Sequence, residues 1–167
     1  VDDTAVVILA MHRADPERYR VNIERACEWV VGMQSSSGGW GAFDPENEHF
    51  YLNSIPFADH GALLDPPTVD VTARCIGALA QVDEGRYAAA IHKGVGFIRR
   101  EQAADGSWFG RWGANYIYGT WSALVALKAT GEDMHQPYIR KAVQWLKDHQ
   151  HADGGWGETL ESYEDLN

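Results

Sequence analysis

Apolar residues follow two different patterns along the chain, and each pattern predicts a different kind of helix. Three stretches are apolar nearly all the way round, which is typical of helices buried on every side: 4–13, 69–82 and 116–129. Three others carry one apolar and one charged face, which is typical of surface helices: 20–33, 86–101 and 136–149. The two kinds alternate, and no stretch has the alternation of a strand.

Alternating inner and outer helices in antiparallel pairs predict an all-α fold of the α/α toroid type. Six helices would supply half of a twelve-helix (α/α)6 barrel, so we expect residues 1–167 to form a single partial barrel domain. The chain begins without Met and at the start of a helix. We therefore expect it to be a piece of a longer protein, truncated at both ends. The irregular segment 34–67 is rich in aromatic residues, which argues against disorder.

Each outer helix ends in the same signature, in which an aromatic residue precedes Gln by five positions and Trp follows Gln by six. The three pairs are Gln34–Trp40, Gln102–Trp108 and Gln150–Trp156. A Gln side chain at a helix end can bond to the backbone of the next element. The glycines permit a tight reversal, and the indole can stack on the amide. We expect these residues to tie one outer helix to the next and to be structural rather than catalytic.

Composition limits the kinds of molecule that this protein is expected to bind. The formal net charge of −10 and the pI near 5.0 argue against a nucleic-acid surface or a basic membrane patch. Cys27 and Cys75 lie in apolar helical stretches, which predicts buried thiols in a reducing compartment. No apolar run reaches transmembrane length, and we expect no signal peptide. His and Cys do not cluster as zinc ligands do, so we expect no metal and no cofactor.

Two adjacent carboxylates, Asp2 and Asp3, open the first inner helix. They are explained either as helix caps or as an acid placed in an apolar pocket, where burial keeps it protonated. Further polar residues, among them Asp70, Arg74 and Tyr118, fall near the N-terminal ends of the other two inner helices. Those ends share one rim of an α/α toroid, so we expect the groups to converge on one pocket.

The Gln–Trp repeat resembles the QW motif of triterpene cyclases. The sequence Asp2-Asp3-Thr4-Ala5 resembles the Asp-x-Asp-Asp-Thr-Ala signature of squalene–hopene cyclases, although the first Asp would lie before Val1. The resemblance covers the whole chain, including 65–67 and 106–113. It implies the C-terminal part of a catalytic domain that cyclises squalene to hopene or hopanol. Such an enzyme is an isomerase with a hydro-lyase side activity, in triterpenoid (hopanoid) biosynthesis.

The same resemblance implies roles for individual residues. Asp2 would be the proton donor and Asp3 its supporting partner. Arg74 stands where many relatives carry a His that hydrogen-bonds the donor, and Arg can hold charge there but cannot relay a proton. An alternative is that Arg74 pairs with Asp70, four residues earlier. Burial favours neutral Asp2, whereas Arg74 and the helix dipole favour the ionised form, so the sequence leaves its protonation state open.

Carbocation intermediates need stabilisation without a nucleophile, and aromatic faces provide it through cation–π attraction. By matched position the candidates are Phe43, Trp112 and Tyr118, with Phe43 standing where some relatives carry Tyr. Ordinary core packing is the alternative for each. Asp70 and Tyr118 are candidates for a water chain that returns a proton to Asp2.

The implied partner is squalene or a related polyprene. The implied parent is a homodimer and a monotopic membrane protein on the cytoplasmic side of the cell membrane, and the rest of its chain would close the barrel. We expect the fragment alone to be inactive. Four alternatives stay open: a cyclase acting on a different polyprene, a metal-dependent toroid enzyme such as a protein prenyltransferase, a carbohydrate-active toroid, and a non-catalytic helical scaffold.

Overall fold

The computed structural model of the chain describes residues 1–47, 49–54 and 64–163. It contains six α-helices: α1 Asp2–Ala14, α2 Arg20–Gly32, α3 Val69–Asp83, α4 Ala88–Arg100, α5 Asn115–Ala129 and α6 Pro137–Asp148. Two short 3-10 helices follow α2 and α6, at Phe50–Ser54 and Leu160–Tyr163. The described residues include no strand, only one isolated bridge between Trp40 and Thr68.

The helices form three hairpins arranged side by side. Within each hairpin one inner helix packs on one outer helix: α1 on α2, α3 on α4, and α5 on α6. Among the inner helices, α3 lies in the middle and packs against both α1 and α5. The predicted helices are all present, with ends that differ by at most two residues. The predicted all-α toroid fold is confirmed.

Burial differs among the inner helices. In α3, ten of fifteen residues are buried, because it has an inner helix on each side. The prediction that α1 is buried on every side is wrong for this chain. Ala5 and Ile8 are buried, but Val6 and Val7 are 46% and 52% exposed. The physical reason is that α1 meets another inner helix on one side only. The same holds for α5, where Trp121 is 54% exposed.

The Gln side chains of the repeat join neighbouring outer helices. The Nε2 group of Gln34 donates to a carbonyl of its own turn and to the carbonyl oxygen of Ala90 on α4, at 2.8 and 2.9 Å. Gln102 does the same within its turn and to Tyr138 on α6, again at 2.8 and 2.9 Å. The predicted tie between outer helices is therefore confirmed for the first two repeats. We call each Gln, its Trp and the turn between them a QW staple.

The Trp residue of each of the first two QW staples forms hydrogen bonds with two different helices. The indole N–H of Trp40 and of Trp108 donates to a carbonyl oxygen ten residues earlier, on the staple's own outer helix, at 2.7 Å. Their backbone N–H groups donate to Thr72 on α3 and Thr120 on α5, at 3.0 and 2.9 Å. Each of these staples therefore links an outer helix to the inner helix of the next hairpin. The predicted stacking of indole on amide stays a prediction.

Candidate functional site

Arg74 joins the three inner helices at one rim. Its Nη1 donates to Oδ2 of Asp2 on α1 at 2.6 Å, and its Nη2 donates to the hydroxyl of Tyr118 on α5. The guanidinium carbon also lies 5.7 Å from the centre of the Tyr118 ring, within cation–π range. The structure thus brings Asp2, Asp70, Arg74 and Tyr118 together, and we call this set the acid rim.

Three members of the acid rim occupy one position of the repeat. Asp2, Asp70 and Tyr118 are separated by 68 and 48 residues, the same intervals that separate the Gln residues of the three QW staples. Each lies two residues before a Thr of its inner helix. Equivalent positions on adjacent inner helices lie at one height in the toroid, which explains why residues so far apart in the chain meet.

Burial decides the electrostatics of Asp2. Its pKa is raised, chiefly because burial disfavours the carboxylate, and the charge and hydrogen bond of Arg74 only partly offset this. The charges of Asp70 and Asp3 raise it further. Partial burial and the two neighbouring acids thus favour the neutral form of Asp2, against the opposing effect of Arg74. Oδ1 of Asp2 is buried without a hydrogen-bond partner, and α1 has no side-chain cap, so Asp2 is not acting as a cap.

The two neighbouring acids differ in environment. Asp3 is exposed at the start of α1, and its described influence on the site is the effect of its charge on the pKa of Asp2. Asp70 is 1% exposed, and its Oδ2 accepts the backbone N–H of Trp112 at 2.9 Å. Its Oδ1 has no hydrogen-bond partner. Arg74 pairs with Asp2 rather than Asp70, so the alternative of an Asp70–Arg74 pair on one helix is wrong.

Tyr118 is held by the loop that precedes its own helix. A Cβ atom added to Gly113 would lie 2.6 Å from Cγ of Tyr118, and one added to Gly110 would lie 2.8 Å from its Cδ1. Only glycine therefore permits this close approach. Burial raises the pKa of the Tyr118 phenol, and the charges of Asp70 and Asp2 add to the rise against the opposing effect of Arg74. The hydroxyl keeps its proton at neutral pH.

The other two predicted aromatic residues form an exposed pair. The rings of Phe43 and Trp112 meet edge to face, with centres 5.7 Å apart and planes at 83°. They are 67% and 46% exposed, so neither is a core residue in this structure. The backbone bond from Trp112 to Asp70 attaches the pair to the acid rim. We call Phe43 and Trp112 the aromatic ledge.

Asp65 holds the ledge in place, and the sequence analysis did not assign it this role. Its side chain is buried, at 6% exposure, and its carboxylate accepts the backbone N–H groups of Ala42, Phe43 and Asp44. The carbonyl oxygen of Ala42 in turn accepts from the nitrogen of Val1 at 2.6 Å. The turn that carries Phe43 is thereby fixed beside the start of α1. The signal in the sequence was an acid placed directly before two prolines.

An apolar cleft of about 210 Å³ opens between α1, α3 and α5, lined by Val6, Leu9, Arg74, Trp121 and Val125 among others.

Among the described residues, no group of three His, Cys, Asp or Glu side chains is placed to hold a metal ion. In the same part of the chain, no helix has the length and hydropathy needed to cross a membrane. The arrangement offers an acid with a raised pKa, a cation bonded to it and exposed aromatic faces nearby.

Antiparallel inner and outer helices, QW staples and a partly buried acid at the inner-helix rim define an α/α-toroid protein with a candidate acid site. The family model of the squalene-hopene cyclase C-terminal domain matches residues 1–167. The chain belongs to this family.

Individual relatives agree with this assignment. A probable squalene–hopene cyclase of Sinorhizobium fredii is 58% identical over 98% of this chain and 26% of its own length. The squalene–hopene cyclase of Zymomonas mobilis is 55% identical with the same coverage. The chain thus spans about a quarter of the length of these relatives. Among solved structures, ent-copalyl diphosphate synthase from Streptomyces platensis matches 93% of this chain and 28% of that chain, with a TM-score of 0.60 and 19% identity. That likeness shows the fold alone.

Proposed function

We propose that this chain is half of the catalytic barrel of a longer cyclase, which protonates squalene or a related polyprene and closes it into fused rings. The observation that carries the proposal is the state of Asp2, a partly buried acid whose pKa is raised although an arginine touches it. An alkene is a very weak base, so its proton donor must be a carboxylic acid kept neutral and away from water. The names and identities of the relatives support the same reaction.

The two oxygens of Asp2 have different tasks in this proposal. Oδ2 is occupied by Arg74, whereas Oδ1 is buried without a partner. A buried, unpaired carboxylate oxygen is costly, so the transferable proton resides on Oδ1. When the alkene takes this proton, a new C–H bond forms and positive charge appears on the neighbouring carbon. Asp2 is left as a carboxylate, and Arg74 stabilises that product of the transfer.

The growing cation then needs electron-rich faces that do not react with it. The aromatic ledge and the Tyr118 ring are suited to this, because each desolvated cation–π contact is worth about 0.5–2 kcal/mol. The reaction ends when the final cation loses a proton, which gives hopene, or binds water and then releases a proton to the solvent, which gives hopanol. The first outcome is an isomerisation and involves no change in oxidation state.

Asp2 must regain a proton before the next turnover. Arg74 cannot supply it, because a guanidinium does not give up its proton in proteins. Asp70 and Tyr118 flank Arg74, and we infer that they order the water through which the proton returns. Asp3 supports Asp2 through its charge. No cofactor or metal enters the scheme.

The remaining parts of the proposal concern the longer protein. Residues 1–167 would be one partial domain, and the rest of the parent would close the barrel and complete the substrate pocket. Detectable squalene turnover by residues 1–167 alone would contradict this. The resemblance also supports a homodimer, bound without spanning to the cytoplasmic side of the cell membrane. Release of the longer protein by salt alone, without detergent, would argue against apolar insertion.

The test uses the longer protein with Asp2→Asn, Asp3→Asn as the matched control, and squalene as substrate. Extracted lipids are analysed by gas chromatography–mass spectrometry. We expect pentacyclic product from the parent and from Asp3→Asn in reduced amount, and none from Asp2→Asn. Product from Asp2→Asn would overturn the role of the donor. If neither parent nor variants give product, squalene is the wrong substrate.

A further inference from the structure

The start of α5 differs from the starts of the other two inner helices. α1 carries Asp2 and Asp3 in its first turn and α3 carries Asp70, whereas α5 has no acidic residue there. The residue at its N-cap position is Ala114, which has no side-chain group to bond the free N–H groups. A helix start without a cap or an acid lacks the usual stabilisation of its dipole and its unpaired donors.

A carboxylate distant in sequence, that of Glu158, caps the start of α5. Oε1 and Oε2 of Glu158 accept the backbone N–H groups of Tyr116 and Ile117, at 3.0 and 2.8 Å. Glu158 lies two residues after Trp156, in the segment that follows the third QW staple. The same segment also grips the first residue of the helix, because the Ser162 hydroxyl donates to Oδ1 of Asn115 at 2.6 Å.

Tyr118 follows these two capped residues directly. Its own backbone N–H reaches the carbonyl oxygen of Ala114 at only 3.4 Å, a long bond for a helix. Glu158 therefore satisfies two of the N–H groups in the first turn of α5 that have no partner within the helix. The hydroxyl of Tyr118 accepts from Arg74, and Arg74 donates to Asp2. The position of the first turn of α5 therefore determines where the Tyr118 hydroxyl lies relative to Arg74.

We propose that Glu158 is a positioning residue for the acid rim: by capping α5 from outside, it holds Tyr118 against Arg74 and so fixes the guanidinium on Asp2. The inference deepens the proposed function and rests on it for its catalytic consequence. Glu158 touches neither Asp2 nor the aromatic ledge, and it takes no part in proton transfer.

The first test needs no substrate. Glu158→Gln keeps the size of the side chain but replaces one acceptor oxygen with a donor that faces a backbone N–H. Amide hydrogen exchange in the longer protein should quicken at Tyr116 and Ile117 by roughly fivefold, the effect of losing a typical cap. Glu161→Gln is the matched control: the same charge is removed three residues away, where the exposed carboxylate bonds Thr159. Unchanged exchange at both amides in Glu158→Gln would overturn the inference.

The second test is rescue in the longer protein. Ala114 is exposed, with φ −67° and ψ 115°, the extended backbone in which a serine can cap. Adding Ala114→Ser to Glu158→Gln should restore slow exchange and squalene turnover, after a roughly fivefold loss of kcat with KM nearly unchanged. Restored exchange without restored kcat would show that Glu158 acts other than by positioning. If the unmodified longer protein gives no product, the proposed function fails, while the exchange test still decides the cap.

Discussion

Two sets of contacts join neighbouring hairpins, and they use the repeat in opposite ways. The QW staples keep Gln and Trp at equivalent positions, and the side chains of these residues donate to backbone carbonyls. The acid rim places Asp2, Asp70 and Tyr118 at one equivalent position and adds Arg74 beside them. Where the repeat keeps its residues, it builds the toroid, and where it changes them, it places chemically different side chains next to one another.

The staples also differ among themselves. Trp40 and Trp108 are fully buried, whereas Trp156 is 47% exposed. Gln150 donates to its own turn at 2.8 Å, and in the described residues it has no carbonyl of a following outer helix to bond. The sequence signature is identical, so the stabilisation that a staple provides must come from the hairpin on its far side.

Removal of a buried indole should give the largest difference in unfolding free energy between the staples. Trp108→Ala should lower the free energy of unfolding by about 3–5 kcal/mol, through the cavity and the lost bond to α4. Trp156→Ala should cost about 1 kcal/mol or less, because its side chain is half in solvent. Urea unfolding followed by circular dichroism would measure both. Equal losses would show that the third staple is as important as the second.

A milder change removes only the amide. Gln102→Ala should cost about 1–2 kcal/mol, because two carbonyl oxygens lose their donor and one of them belongs to α6. Gln150→Ala should cost about 0.5 kcal/mol at an exposed site. The same unfolding experiment checks the pair. A larger effect at Gln150 would contradict the view that the bond between hairpins carries the difference.

The acid rim should differ from the staples in its dependence on pH. The folded-state pKa of Asp2 is raised, so the folded chain binds its proton more tightly than the unfolded chain does. The stability this provides is fully present below the unfolded pKa near 3.8 and is lost as pH rises through the folded value. Asp2→Asn should flatten this part of the profile, and Arg74→Gln should steepen it by removing the opposing cation. Unfolding curves from pH 3 upward would show this, with Gln102→Ala as a control that changes stability without changing the slope.

Local patterns predicted most of the fold. Helix periodicity and the repeat of Gln and Trp depend on residues close in sequence. They located the six helices and the two staples that join neighbouring outer helices. The burial of α1 could not be predicted in this way. Whether Val6 and Val7 are covered depends on which helices stand beside α1, and an apolar sequence does not say how many neighbours it has.

The acid site could be predicted in part. Matched positions predicted Asp2, Arg74 and Tyr118 as site residues, and the structure brings the three side chains together. The sequence also offered Arg74 a nearer partner, Asp70, one helix turn away, and only the approach of α1 to α3 explains the pairing with Asp2. Asp65 and Glu158 were missed because they act on backbone N–H groups rather than on side chains. The missing acid at the start of α5 was a usable signal, since an uncapped helix beside a predicted site requires a cap from elsewhere.

The unequal spacing of the repeat has a consequence for chain entropy. The first interval exceeds the second by 20 residues, and the additional chain lies between the Trp40 turn and α3. The two ends of this segment are fastened together, by Asp65 on the 42–44 turn and by the bridge of Trp40 to Thr68. Closing a loop becomes only about 0.6 kcal/mol costlier when its length doubles. Because the two ends are fastened together, the alignment of the helices does not depend on the length of the segment between them. We therefore expect that this segment, at the edge of the aromatic ledge, can change in length while the helices behind it keep their alignment.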